Sequence, residues 1–368
     1  MKLLLTALCL VVATLARQVP TAHADYVPRV CSSSSVRVRK EWGDLALHER
    51  KAYTDAVLCL QAKPSQLDHA LYNSTSRYED FVVTHINSTR FIHNNAVFLA
   101  WHRRFAWLFE RKLQQDCGYR GTLPYWDWPK NAKNLTASPL FDGSPYSLSG
   151  QGLPLSPEEK AREPPCWAGN VTCPQGPGGG CVTDGPFKRF RIGFEHIGFD
   201  PALSPEPGLP PTVFNYVPRC FSRDLNQWIG TNFQTQENLD NVLAAETIAE
   251  FQDRIDNVFG DGFRGLHPAG HAVLGSTGAD FFSSPMDPAF YLHHSMIDKV
   301  WTEWQSKGHG DERIYGDNAL SGTLTTFNTP PSDNATMASV INWGTLEGPL
   351  PIVKVMAVGR GDLCYRYE

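Results

Sequence analysis

Net charge is small in this sequence of 368 residues, and no long basic run occurs in it. Its 33 Lys and Arg residues are nearly balanced by 38 Asp and Glu residues. Because proteins that bind nucleic acid or anionic membranes use clustered cations, we expect neither partner. Beyond the N-terminus no apolar stretch is long enough to span a bilayer, and no internal repeat of fixed period is present. A hydrophobic fraction of 42% still allows a substantial core.

The N-terminus is typical of a secretory signal. An apolar stretch at 3–16 is followed by a small-x-small motif that ends at Ala24. The stretch is too short for a transmembrane anchor. We therefore expect a signal peptide over 1–24, with cleavage near Ala16 as the alternative. Residues 25–368 would then form a single extracellular domain.

Cysteine usage fits an oxidising compartment. Removal of the signal peptide removes Cys9 and leaves an even number of cysteines, which predicts up to four disulfides of open pairing. These cysteines are Cys31, Cys59, Cys117, Cys166, Cys173, Cys181, Cys220 and Cys364. The lack of a CxxC pair disfavours cysteine ligation of a metal. Sequons predict N-glycosylation at Asn73, Asn87, Asn134, Asn170 and Asn334.

Hydrophobic periodicity predicts a mainly helical core. Helices are expected at 41–61, at 96–113 and at 239–258, around the face formed by Tyr78, Phe81, Val82 and His85, and from Pro288 onward, where Asp287 would cap the helix. The last of these helices would carry Phe290, His294, Ile297 and Trp301 on one face.

Two other regions are not helical in pattern. Between 129 and 218 the chain is rich in Gly, Pro and Ser, which predicts a long loop region held by disulfides. From 342 to 367 short runs such as 352–353 and 363–365 predict strands lying over the helical core.

Six histidines fall into two clusters. We call His85, His93 and His102 the A trio, and His267, His271 and His294 the B trio. Neutral imidazole is the commonest metal ligand, and side chains at i and i+4 on a helix can bind one ion together. A zinc protease would carry a glutamate between the first two B-trio histidines, and none is present. Two sets of three imidazoles without carboxylates suit copper better than di-iron.

The flanks of these histidines resemble a known family. FLAWHRRF at 98–105 and DPAFYLHHSMIDKVW at 287–301 are similar to the two copper-binding signatures of the tyrosinase/catechol oxidase family, the type 3 copper proteins. The likeness extends from near Arg39 to Tyr365-x-Tyr367 and is closest to short secreted fungal catechol oxidases. It implies a mainly α fold, in which a four-helix bundle core holds a dicopper site beside long disulfide-pinned loops and a few short strands.

The resemblance also implies roles for single residues. The A trio would bind copper A and the B trio copper B. The second member of the His293-His294 pair would be the ligand, which leaves His293 as a hydrogen-bonded neighbour. Asp298 and Arg103 would support the ligands from outside, with ordinary surface charges as the open alternative.

Departures from the family pattern are informative as well. Some members form a thioether from a cysteine two residues before the second copper A histidine; here that position is Phe91, and Val83 precedes His85 in the same way. We therefore expect no thioether. The chain ends at the Tyr-x-Tyr that closes the family's core, so we also expect no C-terminal lid domain over the site.

The implied activity is oxidation of o-diphenols to o-quinones, with dioxygen reduced to water. The partners would be small phenols and O2, and the protein a monomer or weak dimer. Family members that hydroxylate monophenols often carry asparagine after the first copper B histidine, where this chain has Pro268. Thirteen residues before His294 the family has a gate over copper A, here the bulky Phe281. Both favour weak or no monophenol hydroxylation, although Asp256 or Asp261 could still hold a water that acts as base.

Three alternatives remain. A tyrosinase with full monophenolase activity is the nearest. A hemocyanin-like oxygen carrier is disfavoured, since carriers normally block the site with an additional domain. A zinc hydrolase is disfavoured by the missing general base.

Overall fold

A computed structural model describes residues 28–162, 167–168, 171–195, 211–256 and 265–368. The predicted signal peptide, Cys166, Asn170 and Asp261 lie outside these ranges. Within them, no helix combines the length and the apolar character needed to cross a membrane.

The fold is mainly α-helical. Its helices are α1 (Leu47–Ala62), α2 (His69–Tyr72), α3 (Arg77–Ser88), α4 (Phe98–Cys117), α5 (Trp128–Asn131), α6 (Pro157–Lys160), α7 (Gln227–Phe233), α8 (Gln236–Leu243), α9 (Ile248–Asp256), α10 (Leu266–Leu274), α11 (Ala289–Ser306) and α12 (Glu312–Tyr315). Its strands are β1 (Arg37–Arg39), β2 (Gly152–Pro154), β3 (Trp167–Ala168), β4 (Val171–Thr172), β5 (Gly179–Val182), β6 (Arg191–Ile192), β7 (Arg219–Cys220), β8 (Val340–Ile341), β9 (Leu350–Pro351) and β10 (Tyr365–Tyr367).

Four helices, α3, α4, α10 and α11, surround the histidine clusters. α3 begins at a capping box, in which the Ser76 hydroxyl accepts from the Glu79 N–H while the Glu79 carboxylate accepts from the Ser76 N–H. Its predicted apolar face is buried. α4 packs against both α11 and α1. The predicted helical core around the histidines is therefore confirmed.

Helix boundaries differ from the periodicity at several ends. α1 begins at Leu47 instead of 41, because residues 42–44 form a separate 3₁₀ turn that ends at the extended Leu45. α4 continues a turn beyond the predicted end and stops at Gly118, whose φ of 67° favours glycine. α11 is capped as predicted, since Asp287 accepts a hydrogen bond from the Ala289 N–H at 2.9 Å. Pro288 lies just before the first assigned residue and already has helical φ and ψ.

The single helix expected at 239–258 is wrong. The segment contains two helices, α8 and α9, which are separated by a short turn. Thr247 accepts from the Glu250 N–H at 3.2 Å, and Asn318 from a distant segment accepts from the Ile248 N–H at 2.7 Å. A new N-terminus therefore forms where the apolar periodicity continues without a break.

The C-terminal segment is only partly extended. The strand expected at 352–353 is wrong, because residues Ile352–Val355 form a buried 3₁₀ turn. The final strand is present but lies two residues later than the predicted 363–365: β10 pairs in parallel with β1, with Tyr365 opposite Arg37. This pairing joins the N-terminal and C-terminal parts of the described chain.

Disulfides fasten the loops, as expected. Cys31 pairs with Cys364 beside the β1–β10 sheet, Cys59 pairs with Cys117 between α1 and α4, and Cys181 pairs with Cys220. Cys173 is also disulfide-bonded. The Cys181–Cys220 disulfide holds part of the predicted loop region. The described residues of that region contain only short helices and strands.

Candidate metal centre

The A trio is held by backbone carbonyl groups. α3 supplies His85, α4 supplies His102, and the turn between them supplies His93. Each ring donates its Nδ1–H to a carbonyl oxygen: His85 to Phe282 at 2.6 Å, His93 to Thr89 at 3.0 Å and His102 to Phe98 at 2.9 Å. A proton fixed on Nδ1 leaves the lone pair of Nε2 free to bind a metal.

Those lone pairs converge in the interior. One ligand atom from each A-trio histidine lies within 4.8 Å of the others. The Nε2 atoms of His85 and His102 are buried and have no hydrogen-bond partner within the described residues. Because buried polar atoms without partners are costly, this arrangement indicates that the nitrogens face a ligand such as a metal ion.

The B trio comes from two helices. α10 carries His267 and His271 one turn apart, and α11 carries His294. The Nε2 atom of His271 lies 3.1 Å from that of His267 and 3.3 Å from that of His294. His271 donates its Nδ1–H to the Gly278 carbonyl at 2.9 Å. Nitrogen lone pairs that face each other at such distances repel unless a cation lies between them.

His267 has a different partner. Its Nδ1 lies 2.6 Å from Oδ1 of Asp256, at the end of α9. A carboxylate accepts this proton and fixes the same tautomer as in the carbonyl-bound histidines. The two trios face each other, since the rings of His102 and His294 stack with centroids 4.4 Å apart.

His293 lies close enough to be counted with the B trio, but its hydrogen bonds argue against ligation. Its Nδ1 accepts from the indole N–H of Trp128 at 3.1 Å, and its Nε2 therefore carries the proton that is donated to the His267 carbonyl at 3.0 Å. Both nitrogens are occupied, so no lone pair remains for a metal. His293 instead holds the first turn of α10, and its ring lies against Gly270, where a Cβ would come within 2.1 Å of it.

Burial keeps these rings neutral. Desolvation lowers the pKa of His93 and of His267 to about 3, and it lowers the pKa of His85, His102 and His294 well below the usual value. Burial also raises the pKa of Asp256 to about 7. Neutral imidazoles at ordinary pH offer lone pairs rather than positive charge.

This donor set fits a pair of copper ions. Each trio offers three neutral nitrogens, and within the described residues the one carboxylate in contact with a trio bonds to the far side of a ring rather than facing the cluster. Imidazole suits copper, whereas carboxylate-rich sites select harder ions.

The predicted gate and its neighbour lie beside the trios. The ring of Phe281 is half-buried and packs against His93 with centroids 4.8 Å apart. Pro268 is half-buried in the first turn of α10, where a backbone N–H would have no intrahelical acceptor. Phe91 is exposed, and Val83 is buried within α3.

Asp298 and Arg103 are not surface charges. Both are buried, and the Arg103 Nε–H donates to Asp298 at 2.5 Å. Asp298 also accepts from the hydroxyls of Tyr365 and Tyr367 at 2.6 and 2.5 Å, and Arg39 lies 3.5 Å away. This network joins α4 and α11 to the β1–β10 sheet, so it fixes two helices that carry trio histidines.

Two supporting residues escaped sequence reasoning. The sequence indicates for Asp256 only a role in holding water, and no sequence pattern marks Trp128. Asp256 lies 11 positions before its partner and Trp128 lies 165 before His293, so only tertiary packing brings them into contact.

The chain is similar to proteins of a known family. The tyrosinase family profile, described as the common central domain of tyrosinase, matches residues 75–307. The chain is 41% identical to Tyrosinase P of Aspergillus terreus over 337 residues, which cover 90% of this chain and 91% of that one. It is 40% identical to N-acetyl-6-hydroxytryptophan oxidase ivoB of Emericella nidulans over 97% of this chain and 98% of that one.

A solved structure is similar as well. A polyphenol oxidase variant from Thermothelomyces thermophila superposes with a TM-score of 0.83 at 35% identity, covering 93% of this chain and 91% of that chain.

Proposed function

Because the chain belongs to the tyrosinase family of type 3 copper oxidoreductases, we propose that it is a secreted polyphenol oxidase that oxidises o-diphenols to o-quinones. Each diphenol loses two electrons and two protons, and dioxygen accepts four of each to become two waters. The observation that carries the proposal is the pair of facing histidine trios, each of which brings its ring nitrogens within 4.8 Å of one another.

The A trio would hold one copper ion and the B trio the other. When bound, this pair supplies the electron transfer between the phenol and dioxygen. The protein contributes fixed imidazole orientations, because hydrogen bonds set the tautomer of five of the six rings. The aromatic wall around the rings, which includes Phe98 and Phe290, excludes water.

Phe281 supports a preference for diphenols. Its ring packs on His93, so a phenol that approaches the A trio from this side would meet a bulky, half-buried side chain. Pro268, beside His267, has no side-chain amide that could orient a water to deprotonate a monophenol. Asp256 uses one oxygen on His267 and the other on the Asn94 amide, so it is poorly placed to hold such a water.

The second candidate is a tyrosinase that also hydroxylates monophenols. It is favoured by the 41% identity to Tyrosinase P of Aspergillus terreus. The 40% identity to a hydroxytryptophan oxidase suggests that hydroxyindoles also belong in the substrate panel.

Oxygen uptake tests the proposal. Copper-loaded protein is incubated with catechol, with the matching monophenol or with a 6-hydroxyindole, and initial rates are compared between the wild type and Phe281→Ala. We expect rapid uptake with catechol and a slow or lagging rate with the monophenol, which Phe281→Ala increases relative to catechol. Absence of uptake at two coppers per chain, or reversible oxygen binding without turnover, contradicts the proposal. Monophenol hydroxylation without a lag and as fast as catechol oxidation favours the second candidate.

Secretion is part of the same proposal. Asn87, Asn134 and Asn334 are exposed and can accept glycans, whereas Asn73 is half-buried and its amide donates to the Phe214 carbonyl at 3.0 Å. Enzymatic deglycosylation of the secreted protein, read by mass, should remove glycans from the three exposed sites. A secreted protein that carries no glycan at any of these three sites contradicts the proposed glycosylation.

A further inference from the structure

Asp256 contacts both halves of the metal centre. Its Oδ1 lies 2.6 Å from Nδ1 of His267, and its Oδ2 accepts from the Asn94 amide at 2.9 Å. Asn94 directly follows His93. We propose that Asp256 is a positioning residue that fixes a B-trio ligand and the A-trio turn together, an inference that rests on the proposed function.

The contact with His267 is distinctive. Four other trio histidines bond through Nδ1 to backbone carbonyls, and within the described residues His294 has no Nδ1 partner. Among the trio histidines, His267 alone is held by a carboxylate of the described part of the chain. When ionised, the Asp256 carboxylate makes a stronger hydrogen bond than a backbone carbonyl, and it raises the basicity of the opposite ring nitrogen. Asp256 therefore sets both the orientation and the donor strength of His267.

The contact with Asn94 constrains the other trio. Asn94 has a φ of 46°, a left-handed conformation that asparagine tolerates at some cost. Its backbone carbonyl accepts a hydrogen bond from the Phe327 N–H at 3.3 Å, and its side-chain amide donates one to Asp256. α9 reaches this turn a second time, where the Gln252 amide donates to the Asn95 carbonyl at 3.4 Å. The end of α9 thus defines the backbone that presents His93.

The two contacts also set the spacing between the trios. The rings of His93 and His267 are nearly parallel, at 9°, with centroids 6.1 Å apart. Asp256 is only 9% exposed, so both of its oxygens are committed to these partners with little access for water. One carboxylate thereby links the half-sites that must act on the same substrate.

Copper affinity measured site by site tests this inference. Two backgrounds isolate the sites: His102→Ala leaves the B trio complete, and His271→Ala leaves the A trio complete. The dissociation constant for Cu(I) is measured by competition with a chelator in each background. The variants are Asp256→Ala, Asp256→Asn, which keeps an oxygen acceptor, and Asn94→Gly, which keeps the left-handed backbone but loses the amide.

Asp256→Ala is expected to weaken copper binding at the B trio by about 10–100-fold, the usual effect of losing a residue that orients a ligand. Asp256→Asn should recover part of that loss. Asn94→Gly should weaken binding at the A trio and leave the B trio near the wild-type value. Asp253→Asn, which removes an exposed carboxylate from the same helix, is the matched control and should change neither site.

A merely structural role would give a different pattern. If Asp256→Ala lowers the unfolding temperature of the copper-free protein and leaves the B-trio affinity within about threefold of the wild type, the inference is overturned. Equal weakening by Asp253→Asn overturns it too. A wild-type protein that binds no copper refutes the proposed function itself, which separates the two failures.

Discussion

Replacing Asp298 by asparagine should destabilise the protein strongly, because it removes the shared counter-ion of two buried arginines. Asp298 accepts from Arg103 at 2.5 Å and lies 3.5 Å from Arg39. It also receives the hydroxyls of Tyr365 and Tyr367. An amide retains the shape of the carboxylate but neither its charge nor its second acceptor oxygen.

The expected loss follows from what each arginine retains. Arg39 keeps an ion pair with Glu110 at 2.8 Å. Within the described residues Arg103 keeps only neutral partners, the Met356 carbonyl, the Thr302 hydroxyl and the Gln305 amide oxygen. A buried charge left without its partner costs about 3–5 kcal/mol, so we expect a loss in that range.

Denaturant unfolding of the copper-free proteins at neutral pH measures this loss without a contribution from metal binding. Asp55→Asn is the control, because the Lys51–Asp55 pair is about half exposed on both sides and should contribute less than about 1 kcal/mol. A decrease for Asp298→Asn no larger than that of the control would refute the argument that this network holds α4 and α11.

The same carboxylate predicts a pH dependence. Burial alone would raise the pKa of Asp298. Attraction to Arg103 and Arg39, together with hydrogen bonds from the two tyrosine hydroxyls, outweighs that effect and lowers the pKa below the usual 3.8. The stabilisation is therefore complete above that ordinary value and is lost as the pH falls through the lowered pKa of the folded state. The difference in unfolding free energy between wild type and Asp298→Asn should narrow only in strong acid; a difference that narrows above pH 5 would contradict this assignment.

Two further predictions concern the metal centre. Gly270→Ala places a Cβ 2.1 Å from the His293 ring. We therefore expect a loss of about 1–3 kcal/mol in unfolding free energy and weaker copper binding at the B trio. A variant with wild-type stability and copper content would show that the ring moves freely. Removing copper with a chelator should lower the unfolding temperature. Adding copper back at about 100 times its dissociation constant should restore about 2.7 kcal/mol of unfolding free energy. An unchanged melting curve would exclude tight copper binding to the folded state.

The helices that carry the trios could be predicted from sequence because their apolar periodicity coincides with buried faces. Tyr78, Phe81 and His85 lie on one face of α3, and that face is buried. The break between α8 and α9 could not be predicted from sequence, because Asn318 stabilises the start of α9 from a distant segment. Hydrophobic periodicity reveals which face of a helix is buried. It does not reveal a helix N-cap whose hydrogen bond comes from a distant part of the chain.

The candidate site shows the same division. Histidine spacing and flanks were sufficient to group six residues into two trios, and the fold brings each trio together. Asp256 acts through hydrogen bonds to His267 and Asn94, which lie 11 and 162 positions away along the chain. Trp128 acts through a hydrogen bond to His293, 165 positions away. No local pattern marks such partners. The roles of Phe281 and Pro268 stay predictions, since they depend on how a phenol enters.

Copper content per folded chain is the most direct test of the central claim that the two trios are two copper sites. Elemental analysis of protein that has been loaded and freed of loose metal should find two copper ions per chain in the wild type. His294→Ala, which removes one B-trio nitrogen, should retain about one, because each trio binds its own ion. Zinc or iron in place of copper, or a single ion in the wild type, would contradict the account.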